Sequence, residues 1–232
     1  MRSLYLDDCY LKEFDSVVEE ANERFVKLRE TAFYPNSGGQ PNDTGKIASN
    51  DREVYGVINV FKEGITIVHE LDKAGLAAGD KIHGAIDWAR RHKLMRMHTA
   101  SHLLSAVINK ESGALITGNQ LGTNKSRIDF NLEKFDRDRF YEYCQKANEL
   151  IKEEVPIKTY FLTRQEISKL PTLLAKGLPP NLEKIRIAEI EGIDLQADGG
   201  THVKNLREIG RIETLKLENK GKSNRRIYFR LV

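Results

Sequence analysis

The strongest constraint on what this chain can fold into is a change of hydrophobic period near Gly79-Asp80. Before it, short apolar runs such as Val54–Phe61 and Ile65–Leu71 are separated by tight-turn signals, here Lys62-Glu63-Gly64, the pattern of strands and hairpins. After it, Leu94, Met97, Leu103, Leu104, Val107 and Ile108 recur at helical spacing from about Asp87 to Lys110, and Gly113 ends the pattern. A second helix is expected over Arg137–Glu153, with Asp136 as its N-cap. Ile157–Phe161, Ile185–Ile190, Ile209–Leu217 and Ile227–Val232 read as strands, joined by a short helix near Arg164–Leu170. Together these predict an α+β fold: a β-rich, barrel-like N-terminal domain over residues 1–86, then an α/β domain over 87–232 with a central antiparallel sheet and two main helices.

Several classes of protein are excluded early. No run of about 18 apolar residues exists, so no membrane helix is expected. The first residues, Met1 to Asp8, meet acid too soon for a signal peptide. Cys9 and Cys144 are the only cysteines, too few for a disulfide framework, so a cytoplasmic protein is expected. The formal net charge of +3 hides an asymmetry. From Lys204 onward nine Lys and Arg face three Glu, leaving +6 in the last 29 residues and −3 in the rest. Such a tail suits contact with phosphates, or it is a solvated surface with a skewed count.

Chemistry is concentrated in few residues. His98 and His102 stand four apart on the first helix, which puts both imidazoles on one face within reach of one cation. The alternative is a pair of ordinary surface histidines. A zinc-peptidase helix is ruled out, because Thr99 stands where that motif needs a general-base Glu. Far along the chain, Asp198-Gly199-Gly200-Thr201-His202 offers two more competent ligands around a sharp turn. Thr31 to Pro41, bracketed by Pro and carrying Gly38-Gly39, must be a loop. It either approaches a ligand with its backbone or simply closes the N-terminal barrel. Trp88, Phe33 and Tyr34 either stack on bases or fill the core.

Three of these segments resemble one family. His98-Thr99-Ala100-Ser101-His102-Leu103-Leu104, then Gly199-Gly200-Thr201-His202-Val203 and Glu208-Ile209-Gly210, are similar to the editing domain of alanyl-tRNA synthetase. The freestanding AlaX editing proteins are the nearer match. The loop from Phe33 to Gly45 resembles the glycine-rich motif of their medium-length form. The likeness runs through nearly the whole chain in order. Ser126 to Phe130 also resembles a family strand, with a mainly structural part.

The resemblance implies an ATP-independent trans-editing hydrolase that deacylates tRNA(Ala) mischarged with serine or glycine, and so serves translation fidelity. It implies one Zn2+ held by His98, His102 and His202. Where this chain has Asp198 the family pattern usually has Cys. Aspartate binds zinc as a harder, oxygen ligand, so it either completes the site or supports it from beside the metal. These four residues are the expected catalytic and metal set. Thr117 and Gln120 fall where the family places its discriminating polar residues, or else form a polar turn. With Gly38, Gly39, Gly199 and Gly200 they make up the expected substrate-binding set. The other reading is a noncatalytic tRNA-binding module whose zinc only holds the fold.

Overall fold

A computed structural model describes residues 1–133, 136–169 and 183–232. The chain forms two compact units, Met1–Leu94 and Met95–Val232.

The first unit is built on β1 (Arg2–Ser3), β2 (Glu13–Asn22), β3 (Phe25–Leu28), β4 (Glu30–Thr31), β5 (Gly45–Ser49), β6 (Val54–Glu63), β7 (Thr66–Leu71) and β8 (Lys81–Ile86). Six of these close a barrel in the order β2-β3-β7-β6-β5-β8. Alternation fills it: Phe14, Ser16 and Val18 of β2 point inward while Glu13, Asp15 and Glu19 meet solvent. In β6 the inward series Tyr55, Val57 skips to Val60, because a register shift between Val57 and Asn59 keeps the polar Asn59 out of the core. The β6–β7 turn falls one step later than expected, at Gly64-Ile65 with Gly64 at φ +61°, and Lys62 and Glu63 still belong to β6. Phe33 and Tyr34 belong to the barrel core, 0% and 3% exposed, and so are not stacking platforms. Gly38 and Gly39, at φ +58° and +83°, form a two-residue turn in which Ser37 and Gln40 exchange both backbone hydrogen bonds.

Helix α1 (Trp88–Ser112) begins in the first unit and continues into the second. There follow β9 (Ile116–Gln120), β10 (Ser126–Phe130), α2 (Arg137–Lys152), β11 (Ile157–Thr163), α3 (Arg164–Ile167), β12 (Lys184–Ile190), β13 (Asp194–Ala197), β14 (Ile212–Asn219) and β15 (Arg225–Leu231). They make a four-stranded sheet, β14-β15-β10-β9, and a three-stranded sheet, β11-β12-β13, with every strand pair antiparallel. Asp136 caps α2 as its sequence suggests, accepting from the Asp138 and Arg139 amides. Ile209 differs from the expectation. Leu206–Ile209 is a 3-10 turn with a capping box from Asn205 and Glu208, and the strand starts only at Ile212 after Gly210 at φ +83°. The expected short helix ends at Ile167, and Leu170 lies outside the described residues.

Candidate metal centre

In the second unit α1 is buried so deeply that its polar residues must find partners within the fold. Ser101 and Ser105 satisfy themselves on the carbonyls of His98 and Ser101, at 2.8 and 2.7 Å. His98 and His102 cannot do this, and their rings, 3% and 8% exposed as residues, project from the same face. They meet the turn that follows β13. Gly200 lies flat against the His98 ring, where an alanine Cβ would come within 2.1 Å of Cε1. No other residue type fits there. Gly199, by contrast, has open space around it. Arg186 of β12 fastens the turn from below, donating to the carbonyls of Asp198 and Gly200 at 3.0 and 2.9 Å.

This turn delivers Asp198 and His202 to the histidine pair. The three ring centroids are 4.5, 4.8 and 5.1 Å apart. One donor atom from each of His98, His102, Asp198 and His202 can be chosen so that all four lie within 4.8 Å of one another. Asp198 Oδ2 sits 2.6 Å from His202 Nε2 and 3.8 Å from His98 Nε2. It also accepts the Gly200 amide at 3.0 Å. A tetrahedral zinc with bonds near 2.1 Å needs donor atoms roughly 3.4 Å apart, so small ring rotations suffice and the donor set fits a divalent cation.

The outer ring nitrogens are held in place. His102 Nδ1 faces Asp194 Oδ2 at 2.9 Å, and His202 Nδ1 faces Thr99 Oγ1 at 3.2 Å. Thr99 in turn accepts the Val203 amide at 3.3 Å. Partners of this kind fix ring orientation and direct the second nitrogen at a shared point. Burial pushes His98 well below the ordinary histidine range and lowers His202 too. At His102 burial is outweighed by Asp194 and Asp198, which raise it. Burial works against the Asp198 carboxylate, yet the surrounding histidines hold it well below the usual range. His98 and His202 are thereby driven toward the neutral form and Asp198 toward the ionised one, the states that bind metal.

Thr117 and Gln120 stand on β9 and not in a turn. Thr117 Oγ1 donates to Asn224 Oδ1 at 3.1 Å, and Gln120 Oε1 accepts from Arg127 Nε at 3.1 Å. No hydrogen bond joins either to the cluster among the described residues. Gly38 and Gly39 belong to the first unit. Sequence reasoning missed Asp194 and Arg186 altogether. It met Thr99 only as the residue that excludes a peptidase.

Comparison with known proteins agrees at both ends of the chain. Residues 7–90 match the model described as tRNA synthetases class II (A), and residues 185–228 match the threonyl and alanyl tRNA synthetase second additional domain. A barrel followed by an α+β unit with this cluster is thus of the tRNA-synthetase accessory-domain class. An alanyl-tRNA editing protein AlaX-M from Methanosarcina barkeri is 52% identical over 99% of this chain and 98% of its own length. Another AlaX-M, from Saccharolobus solfataricus, is 45% identical over 97% of each. The alanine–tRNA ligase of Ignicoccus hospitalis is 39% identical over 92% of this chain, a match to 24% of that larger protein. The chain belongs to the AlaX-M family of alanyl-tRNA editing proteins.

Proposed function

We propose that the chain is a zinc-dependent deacylase that hydrolyses the ester joining serine, and also glycine, to tRNA(Ala). The observation that carries this is the convergence of His98, His102, Asp198 and His202 from one helix and one distant turn. In this reading residues 87–232 form the editing domain, and residues 1–86 present the glycine-rich turn at Gly38-Gly39 to the nucleic acid.

An aminoacyl ester is already activated, so positioning and charge stabilisation supply most of what its hydrolysis needs. When bound, zinc supplies positive charge for the oxygen that becomes anionic as water adds. The chain's own residues do the rest. His98, His102 and His202 would hold the ion through neutral nitrogen. Asp194 and Thr99 keep two of those rings turned inward. Asp198 contributes the negative charge that makes the set bind a divalent cation in preference to water. Gly200 admits the His98 ring, and Gly199, with open space around it, lets substrate approach the backbone beside the ion. With Thr99 where a base would stand, the attacking water is oriented and not deprotonated by a dedicated carboxylate. Serine is distinguished from alanine by its hydroxyl, and a site built to bond that hydroxyl can discriminate strongly. Thr117 and Gln120 are the proposed discriminators, so Thr117→Val should narrow the preference for seryl over alanyl ester. Undiminished discrimination would remove Thr117 from that role.

One observation favours the noncatalytic reading: Asp198 supplies a fourth protein donor, and four protein ligands are the mark of a structural zinc. Deacylation of seryl-, glycyl- and alanyl-tRNA(Ala), with and without chelator, separates the two. The hydrolase reading expects loss of the seryl and glycyl esters, arrest by chelator, recovery on adding zinc, and an intact alanyl ester. A metal-loaded, folded protein that leaves all three esters untouched is the noncatalytic module.

A further inference from the structure

The basic C-terminal segment resolves into residues with different fates. Arg225 is 3% exposed and spends its guanidinium on the carbonyls of Gly221, Asn224 and Lys222 and on the Asn219 side chain. Arg207 pairs with Glu154, and Arg230 with Glu213. Lys216, Lys220 and Arg226 gather on one face of the four-stranded sheet.

The strand register lays out that face. Across β9, β10, β15 and β14, one row runs Gln120, Arg127, Tyr228, Lys216, and the next runs Gly118, Asp129, Arg226, Glu218. Residues directly opposite one another project to the same side. The reverse side is apolar: Ile128, Ile227, Phe229 and Leu217 are all buried. On the open side each carboxylate has two cations. Asp129 accepts from Arg127 at 2.9 Å and from both Nε and NH2 of Arg226, at 2.7 and 2.8 Å. Glu218 meets Lys216 and Lys220 at 2.5 and 2.8 Å. Each group keeps one positive charge in excess.

Arg127 is the member with capacity to spare. Gln120 holds its Nε and Asp129 holds its NH1, so the planar fork is fixed from two sides. Its NH2 has no acceptor among the described residues, and the side chain is 27% exposed. A guanidinium fixed in this way presents a ready pair of N–H donors to an anionic oxygen. Gly118 leaves the neighbouring row low, with nothing above Asp129 from β9. The two rows stand roughly 6.8 Å apart, two residues along a strand, a spacing of the order of that between successive phosphates of an RNA strand. Tyr228, half-buried, stands beside Arg127 in the first row.

We propose that this open sheet face, centred on Arg127 with Arg226, Lys216 and Lys220, is the surface on which the sugar-phosphate backbone of tRNA rests. The proposal rests on the chain's acting on tRNA. In it Gln120, beside its proposed part in discrimination, positions Arg127. The acids do not repel the backbone, because each is already held between two cations.

The test is binding of unacylated tRNA(Ala) over a series of KCl concentrations. Arg127→Gln leaves Asp129 paired with Arg226 and should fold. It is expected to weaken binding by roughly five- to tenfold near 0.1 M KCl and to lower the slope of log affinity against log salt by about one. Lys216→Gln with Lys220→Gln, which touches no buried group, should lower the slope further and serves if Arg127→Gln does not fold. Arg139→Gln on α2 removes the same charge from another element and should bind as wild type does. Arg127→Gln binding with unchanged affinity and slope overturns the proposal, as does an equal loss with Arg139→Gln. Wild-type protein that binds with a salt slope lowered by Arg127→Gln, yet hydrolyses no ester, leaves this surface standing and removes the deacylase. Protein that deacylates normally while Arg127→Gln binds normally does the reverse.

Discussion

Each unit buries histidine, and the contrast between them separates an imidazole closed by its neighbours from one that can be offered to a cation. In the barrel His69 is fully buried, and both its nitrogens are used: Nδ1 donates to the Val26 carbonyl at 3.2 Å and Nε2 accepts from Thr31 Oγ1 at 2.8 Å. Since a carbonyl can only accept, this fixes one neutral tautomer and leaves nothing to offer a guest. Arg91 is equally closed. It is fully buried, makes a bidentate bond to Asp43 and donates to the carbonyls of Cys9 and Ala32 at 2.9 and 2.6 Å. In the second unit His102 and His202 use one nitrogen each on Asp194 and Thr99 and turn the other toward a common centre, where His202 Nε2 meets Asp198, itself one of the four candidate donors. Burial is the same in both places. The direction of the second nitrogen differs.

The largest expected effect comes from attacking the open set. His202→Ala should cut seryl-tRNA deacylation by roughly three orders of magnitude, since the charge that stabilises the reacting oxygen is lost with the metal. Bound metal, measured by atomic spectrometry, should fall from one per chain toward zero. The matching change in the closed set, His69→Leu, should leave metal content and turnover intact while costing about 1–3 kcal/mol of stability for the groups it orphans. If His69→Leu also emptied the site, the contrast would fail. Asp43→Asn is expected to rank next. It strands a buried guanidinium and sets an amide against the Tyr34 N–H that Asp43 now accepts at 2.6 Å. Such a loss costs about 3–5 kcal/mol, a fall in Tm of roughly 10 °C for a chain of this size.

How much of this the sequence discloses depends on how far apart the partners lie. The His98–His102 spacing is a local signal, as are the Asp198–His202 turn, the Asp136 cap and the hairpin glycine at 64. Each concerns residues within about one turn of each other, where backbone geometry alone fixes the relation. Asp194 and Arg186 carry no such mark. Their contacts with His102 and the Asp198 turn depend on β12 and β13 being paired and laid against α1, which no periodicity announces. Asp43 and Arg91 likewise meet across 48 residues. The Gln120 amide oxygen accepts from Arg127 across a strand pair, a partner that register alone decides.

Asp194→Asn tests the outer partner and should have a smaller effect. Loss of a charged partner to a ligating histidine typically costs 10- to 100-fold in metal affinity. The affinity should drop while the fold, read by circular dichroism, stays. An unchanged affinity would mean that Asp194 touches His102 without tuning it.

The smallest effect is a pH dependence that belongs to the closed set alone. Burial pushes His69 down to about 4, against the Val26 hydrogen bond that favours the charged ring. The unfolded chain titrates this residue near 6.5. Between those values the unfolded state binds the proton and the native state refuses it, so stability falls as pH falls. From pH 7.5 to pH 6 the loss is roughly 1 kcal/mol, rising toward a limit of about 3 kcal/mol below pH 4. Other histidines also titrate in this range, so the informative quantity is the difference between wild type and His69→Leu in urea midpoints across pH. The variant starts less stable but lacks this slope, and the gap between the two should narrow by roughly 1 kcal/mol on going to pH 6. A gap that stays constant would mean that the native barrel accepts the proton, and the closed hydrogen bonding of His69 would then not exclude it.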